Sequence, residues 1–212
     1  MTQIIDFFIS QYQSYPNYLI AFEIIAVILG IASVLFAKQE NIWVYPTGII
    51  STALYVYILW KFSLYGDMLV NAYYTLMSIY GWYIWSKPKL GHQPELKITR
   101  LDSIKDWSIT IGLFLLTIGI VTLIYTHYDA FQSWANYVDL VVTGIFFSAM
   151  WLMARKKIEN WILWIVGDII SIPMYCYKGL GFTAFQYAVF TVLAIMAYVE
   201  WRKRMNENTR LE

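Results

Sequence analysis

The stretch Asn41-Ile-Trp-Val-Tyr-Pro-Thr-Gly48-Ile-Ile-Ser51 returns later in the chain as Asn160-Trp-Ile-Leu-Trp-Ile-Val-Gly167-Asp-Ile-Ile-Ser171. Both copies are apolar enough to sit in lipid. A duplicated set of membrane helices with polar side chains on matching faces is the pattern of a transporter built from two halves around a central path.

Working outward, the whole chain has this character. It is 59% hydrophobic and 14% charged over 212 residues, more apolar surface than a soluble domain can hide. Apolar runs close to the roughly 20 residues needed to cross a bilayer core lie at 17–37, 42–60, 67–86, 107–127, 134–154, 160–177 and 182–201. They are too long for barrel strands and lack a period of two, so they read as seven helices. Glu23 on the first helix is answered by Asp139 on the fifth, and the third helices end alike at Trp85-Ser-Lys and Trp201-Arg-Lys.

The expected fold is therefore an all-α membrane protein of seven transmembrane helices in a 3+1+3 plan. An interfacial segment at 1–16 precedes a first triple-helix bundle at 17–86. A loop at 87–106 leads to a linker helix at 107–127, a second bundle at 134–202 and a tail at 203–212. One linker span returns the chain to its starting side, so the two bundles point the same way and are parallel repeats.

Charge placement sets the expected orientation. Of the fifteen Lys and Arg, all but Lys61 and Lys178 fall on one side of the alternating connections. The positive-inside rule then puts the N-terminus outside and the C-terminus in the cytoplasm. The first ten residues lack the basic start and cleavage site of a signal peptide. The lone Cys176 excludes an intrachain disulfide.

Helical spacing gathers polar residues into stripes. Trp161, Trp164, Asp168, Ser171 and Tyr175 align on the sixth helix, and Asp67, Asn71, Tyr74 and Ser78 on the third. Weaker stripes are Asn41, Tyr45, Gly48, Thr52 and Tyr55; Asn136, Asp139 and Thr143; and Thr183, Gln186 and Phe190. A carboxylate at membrane depth costs at least about 2.5 kcal/mol, so Asp168, Glu23 and Asp139 should face the interior or water. Flat aromatics beside carboxyl and amide groups suit a ligand with an aromatic ring and several hydroxyls. A cationic ring would gain about 0.5 to 2 kcal/mol over each indole.

Plainer roles compete with these. Trp43, Trp60, Trp82, Trp85, Trp107, Trp134 and Trp201, near span ends, read as an interfacial belt, and Trp161 fits either role. Asp67 suits a helix N-terminus, Asn71 and Gln186 suit interhelical hydrogen bonding, and Glu23 and Asp139 suit structural pairing. Gly48 and Gly167 read as close-packing points, and Pro173 as a kink.

The phrases Trp161-x-x-Trp164, Asp168-Ile-Ile-Ser-Ile-Pro173, Tyr177-Lys-Gly, Tyr45-Pro-Thr-Gly-Ile-Ile-Ser51 and Met77-Ser-Ile-Tyr-Gly-Trp82 resemble the PnuC family of bacterial vitamin transporters, whose plan is similar to that of SWEET sugar carriers. The resemblance implies a multi-pass protein of the bacterial inner membrane that imports nicotinamide riboside for NAD biosynthesis by facilitated diffusion. It also implies trapping by a cytoplasmic kinase and a homotrimer. On it, Trp161, Trp164, Asp168, Asn71 and Gln186 are the substrate-binding residues, with Glu23, Asp139, Asp67, Tyr74, Ser171 and Tyr175 as polar support. Relatives carry thiamine, riboflavin or deoxynucleosides, and Leu64-Tyr-Gly-Asp-Met-Leu-Val-Asn71 is closer to thiamine-type members, which leaves the substrate open.

No cofactor, metal, catalytic residue or nucleic-acid partner is expected; the partners are the vitamin and the bilayer. A seven-span photoreceptor lacks a lysine in its last helix for a retinal Schiff base. An intramembrane enzyme lacks a metal-ligand cluster or a nucleophile beside a base, and an ATP-driven pump lacks a glycine-rich phosphate motif. If transport is proton-coupled, Asp168 or Glu23 carries the proton.

Overall fold

The structure, a computed structural model, describes residues 16–61, 65–86, 96–178 and 181–210, with side chains at all of these except 65–67, 181–183 and 208–210. The interfacial helix expected before Pro16, the side chain of Asp67 and the connection at 87–95 lie outside the described residues.

Each apolar run becomes one helix: α1 (Asn17–Lys38), α2 (Val44–Lys61), α3 (Tyr65–Trp85), α4 (Ile104–His127), α5 (Trp134–Ala154), α6 (Glu159–Tyr177) and α7 (Gly181–Arg210). Ser103 caps α4 by accepting from the Lys105 N–H at 3.2 Å, with Asp106 in the first turn where the helix dipole favours it. At the start of α5, Asn136 Oδ1 accepts from the Ser133 N–H at 3.2 Å, so this polar side chain serves the helix end.

Helices α1, α4, α5 and the Ala184–Glu207 part of α7 are each long and apolar enough to cross a membrane by themselves. Helices α4 and α5 bury the hydroxyls of Thr110, Thr117 and Ser148, and the other three, α2, α3 and α6, bury Thr47 and Ser51, Ser78, and Asn160, Asp168 and Ser171, the amide and carboxyl groups among them. They are the less apolar helices because they keep polar groups away from lipid, where only satisfied or enclosed polarity is tolerated.

Six helices form a closed ring. α1 packs on α2, α2 on α3, α3 on α5, α5 on α6, α6 on α7, and α7 returns to α1, while α4 sits outside against α5. Exchanging α1 with α5, α2 with α6 and α3 with α7 maps this ring onto itself. That is the two-fold relation parallel repeats require, with the linker helix left out of the symmetry.

The repeat extends to the turns. α1 ends with Asn41 N–H bonded to Phe36 O at 2.9 Å, and α5 with Lys157 N–H bonded to Leu152 O at 2.9 Å. Each turn holds one residue in the left-handed region, Glu40 (φ 54°) and Lys156 (φ 51°). This is the helix-ending geometry usually given to glycine, here adopted by charged residues.

The aromatic belt needs one correction. Trp43, Trp60, Trp82, Trp107 and Trp134 are exposed as belt residues should be, but Trp201 is 0% exposed. Its indole N–H donates to Ala37 O at 2.9 Å, and that of Trp85 donates to Ala154 O at 3.2 Å. Trp85 ends α3, whereas Trp201, expected to end its helix in the same way, sits inside α7, which runs on to Arg210; each bonds a carbonyl in the last turn of the other half's first helix. A buried indole gains from such a partner, and a carbonyl in the last turn of a helix has a lone pair to offer it, even at Ala37, whose oxygen also accepts from the Glu40 N–H at 3.0 Å.

Candidate functional site

The ring encloses a cavity of about 260 Å³ lined by all six of its helices and by no residue of α4. α6 brings Trp161, Trp164 and Asp168, the inward stripe at i, i+3 and i+7. α3 brings Asn71, Tyr74 and Ser78, and α7 brings Gln186, Tyr187 and Phe190. The five residues expected to bind substrate therefore share one chamber, although they come from three helices and both halves.

Its wall is held by aromatic packing. Phe146 stacks on Trp164 with ring centroids 5.1 Å apart and lies parallel to Tyr187 at 6.0 Å. Tyr74 meets Trp164 at 6.2 Å, and Trp161 stands edge-on to Trp201 at 5.5 Å. Gly167 makes this arrangement fit, since a β-carbon there would collide with the Phe146 ring. The close-packing role read for this glycine thus has a definite partner. Gly48, its repeat mate, faces the hydroxyls of Ser33 and Ser78 at 3.1 and 3.5 Å from where a β-carbon would stand.

Asp168 is 2% exposed and is the one carboxylate among the described lining residues, which include no Lys, Arg or His. A buried carboxylate without a cationic side chain beside it is costly unless it is protonated or meets a cation from elsewhere. The chamber is therefore suited to a ligand that is positive or rich in hydrogen-bond donors, and unsuited to an anion.

Other expected polar residues lie elsewhere. Ser171 is buried, and its hydroxyl donates to Gly167 O at 2.8 Å. Tyr175 stacks on Tyr187 at 5.1 Å, behind the wall rather than in it. Asp139 accepts from the Tyr125 hydroxyl of α4 and has Lys178 Nζ 3.9 Å away. Glu23 is half-buried on α1 and, like Asp139, does not line the cavity.

Sequence reading missed Phe146, Met150, Met153 and Tyr187, all in the wall. The signal was available for the first three. Asp139, Thr143, Phe146, Met150 and Met153 continue one helical face, but it turns from polar to apolar half-way, and only its polar part was legible as a stripe.

Comparison with known proteins agrees with this architecture. Residues 20–203 match the family described as nicotinamide mononucleotide transporter. The chain belongs to that family. Among relatives of this membrane transporter family, it is 28% identical to the nicotinamide riboside transporter PnuC of Escherichia coli (strain K12), covering 84% of each chain. It is 26% identical to the PnuC of Neisseria mucosa over 87% of this chain and 73% of that one. It is also 21% identical to the riboflavin/roseoflavin transporter RibM of Streptomyces davaonensis over 92% and 91%. The fold is that of the solved vitamin B3 transporter PnuC, with a TM-score of 0.68, 23% identity, and coverage of 97% of this chain and 87% of the other. A family of multi-pass bacterial membrane transporters accounts for the apolar ring and its enclosed chamber.

Proposed function

We propose that the protein imports nicotinamide riboside by facilitated diffusion and that the chamber is its binding site. The observation that carries this reading is the convergence of Trp161, Trp164 and Asp168 with Asn71 and Gln186 on one cavity of about 260 Å³. Nicotinamide riboside is a flat pyridinium cation joined to a ribose. The ring stacks on indole and gains a cation–π contribution, Asp168 supplies a counter-charge or accepts from ribose hydroxyls, and the two amides pair with the carboxamide and remaining hydroxyls.

The same lining separates nucleoside from nucleotide. A phosphate carries nearly two negative charges at neutral pH, and it would enter a chamber that holds a carboxylate and no basic side chain among the described lining residues. The unphosphorylated vitamin is therefore the better substrate, in keeping with the names of the PnuC relatives rather than with the family description. Phosphorylation by a kinase in the cytoplasm then traps it, because the product no longer fits the carrier. The remaining parts of the proposal are a homotrimer, an outside N-terminus and a cytoplasmic C-terminus.

The relation to RibM makes riboflavin the competitor to exclude, and thiamine is the other. Thermal unfolding of the purified protein with nicotinamide riboside, nicotinamide mononucleotide, thiamine and riboflavin side by side tests the reading. A ligand bound only by the folded state at one hundred times its Kd adds about 2.7 kcal/mol. Nicotinamide riboside is expected to stabilise most and the mononucleotide least. Stabilisation by thiamine or riboflavin alone would replace the substrate, and uptake abolished by an uncoupler would replace facilitated diffusion with proton coupling.

A further inference from the structure

The two repeat-related turns meet. Glu40, ending α1, and Lys156, ending α5, form an ion pair at 2.8 Å across the boundary between the halves. Arg204 of α7 lies 3.7 Å from Glu40 and donates to Gln39 O at 2.8 Å, while Lys156 Nζ stands 4.4 Å over the Trp85 ring. Directly beneath are the reciprocal hydrogen bonds from Trp85 to Ala154 O and from Trp201 to Ala37 O. An apolar cluster joins Trp201 to Ala37, Tyr45, Met153, Trp161 and Ala194, which line the chamber, so the clasp and the chamber wall share one packed core.

We propose that Glu40, Lys156 and Arg204, set over the exchanged Trp85 and Trp201 hydrogen bonds, form a latch that shuts the chamber at the end where α7 leaves the bundle and opens during each transport cycle. The proposal rests on the transport reading above.

Three observations favour a latch over a permanent joint. The contacts join the two halves, which are the bodies that rock against each other when a repeat-built carrier alternates its access. Arg204 and Glu40 keep contact with solvent at 34% and 19% side-chain exposure, so their pair at the wet edge is weak enough to break and re-form, while Lys156, 11% exposed, forms the tighter inner contact. The turn on the second half is also held from outside. Thr99 N–H bonds Lys156 O at 3.1 Å, Ile158 N–H bonds Thr99 O at 3.0 Å, and Leu101 N–H bonds Glu159 Oε2 at 3.0 Å. The residue 97–101 strap thus fixes the Lys156 side of the clasp to the linker, so that opening draws Glu40 away from both Lys156 and Arg204 and divides α1 from α7 rather than unwinding the turn.

The test uses Ala194→Cys as a reporter in a Cys176→Ser background, because Ala194 lines the chamber beneath the clasp and is buried. The full-length protein in vesicles is labelled with a membrane-impermeant maleimide from the face bearing the C-terminus. Glu40→Gln and Lys156→Gln, made separately, are each expected to raise the labelling rate about three-fold or more, as a shift in the closed–open population. Lys156→Arg, which keeps the charge, is expected to stay within about two-fold of the parent. Labelling unchanged in both glutamine variants, or raised equally by Lys156→Arg, overturns the latch. Thermal stabilisation by nicotinamide riboside is measured on every variant. Its loss in the parent sinks the transport reading, while the labelling rates still decide whether the clasp closes this end.

Discussion

The two halves share a backbone plan and differ in what fills it. In the first, small hydroxyl residues do much of the joining, beside the edge-on ring contacts of Phe22 with Tyr57 and Tyr45 with Trp85. Ser51 Oγ donates to Ala26 O at 2.7 Å, Ser33 Oγ to Val44 O at 2.8 Å, and Thr52 and Thr75 hydroxyls lie 2.7 Å apart. In the second, rings do the joining, with Phe146 lying between Trp164 and Tyr187 and pressed on Gly167. The second half also contributes Asp168, whereas the first contributes Asn71 and Tyr74. Duplication thus supplied two equivalent walls, and divergence placed the charge and most of the flat recognition surface on one of them.

Environment differs in the same direction. α1 has few buried residues and exposes Ile24, Ile25, Ile28 and Leu35, whereas α5 buries ten residues, with α4 packed against it. A helix covered on its outer face can devote large side chains to both sides, whereas one facing lipid has a single inward stripe.

This contrast can be broken by mutation. The largest effect is expected for Asp168→Asn, which keeps shape and removes charge. Hydrogen bonds to a charged group contribute about 1.5–3 kcal/mol, so the Kd for nicotinamide riboside measured by calorimetry should rise about 10- to 100-fold. Asn71→Ala should cost about ten-fold or less, and an equal loss in both would show that charge is not the distinction between the halves.

The paired glycines sharpen the comparison next. Gly167→Ala drives a methyl into the Phe146 ring and should destabilise by about 1–3 kcal/mol while weakening binding. Gly48→Ala meets the Ser33 and Ser78 hydroxyls at 3.1 and 3.5 Å, a tight approach without overlap of a ring, and should cost less than about 1 kcal/mol. Chemical denaturation of the two variants in the same detergent compares them, and a reversed order would mean that the aromatic wall is the more adaptable of the two.

The repeat-related rings Tyr45 and Trp164 come last. Trp164→Ala should weaken binding by at least about three-fold, because a stacking face of the chamber is removed. Tyr45→Phe should change it by less than about two-fold, since the Tyr45 hydroxyl is buried with no hydrogen-bond partner among the described residues and its loss leaves the ring against Gly81 and Trp85. A Tyr45→Phe loss as large as that of Trp164→Ala would move the polar recognition site toward the first half.

Much of this was legible in the primary structure for a local reason. Lipid forces long apolar helices, and a helix repeats its faces every three to four residues, so Trp164 and Asp168 were placed on one inward stripe without coordinates. The duplicated Gly48 and Gly167 phrases likewise announced parallel repeats and a seven-helix plan. Phe146 escaped because the α5 face that starts with Asp139 and Thr143 turns apolar where it reaches this ring, and an apolar continuation stands out less than a polar stripe. Trp85 and Trp201 were assigned to the lipid interface because position along a span says nothing of which way an indole turns.

What the chain alone settled is its solvent, its helices and the inward stripe of α6, since these follow from composition and short-range periodicity. What the assembled ring decided is who meets whom across the repeat boundary: Trp201 with Ala37, Trp85 with Ala154, Glu40 with Lys156. These partners are far apart in sequence and their pairing depends on how two rigid bundles are turned toward each other, a quantity to which no local pattern of residues is coupled.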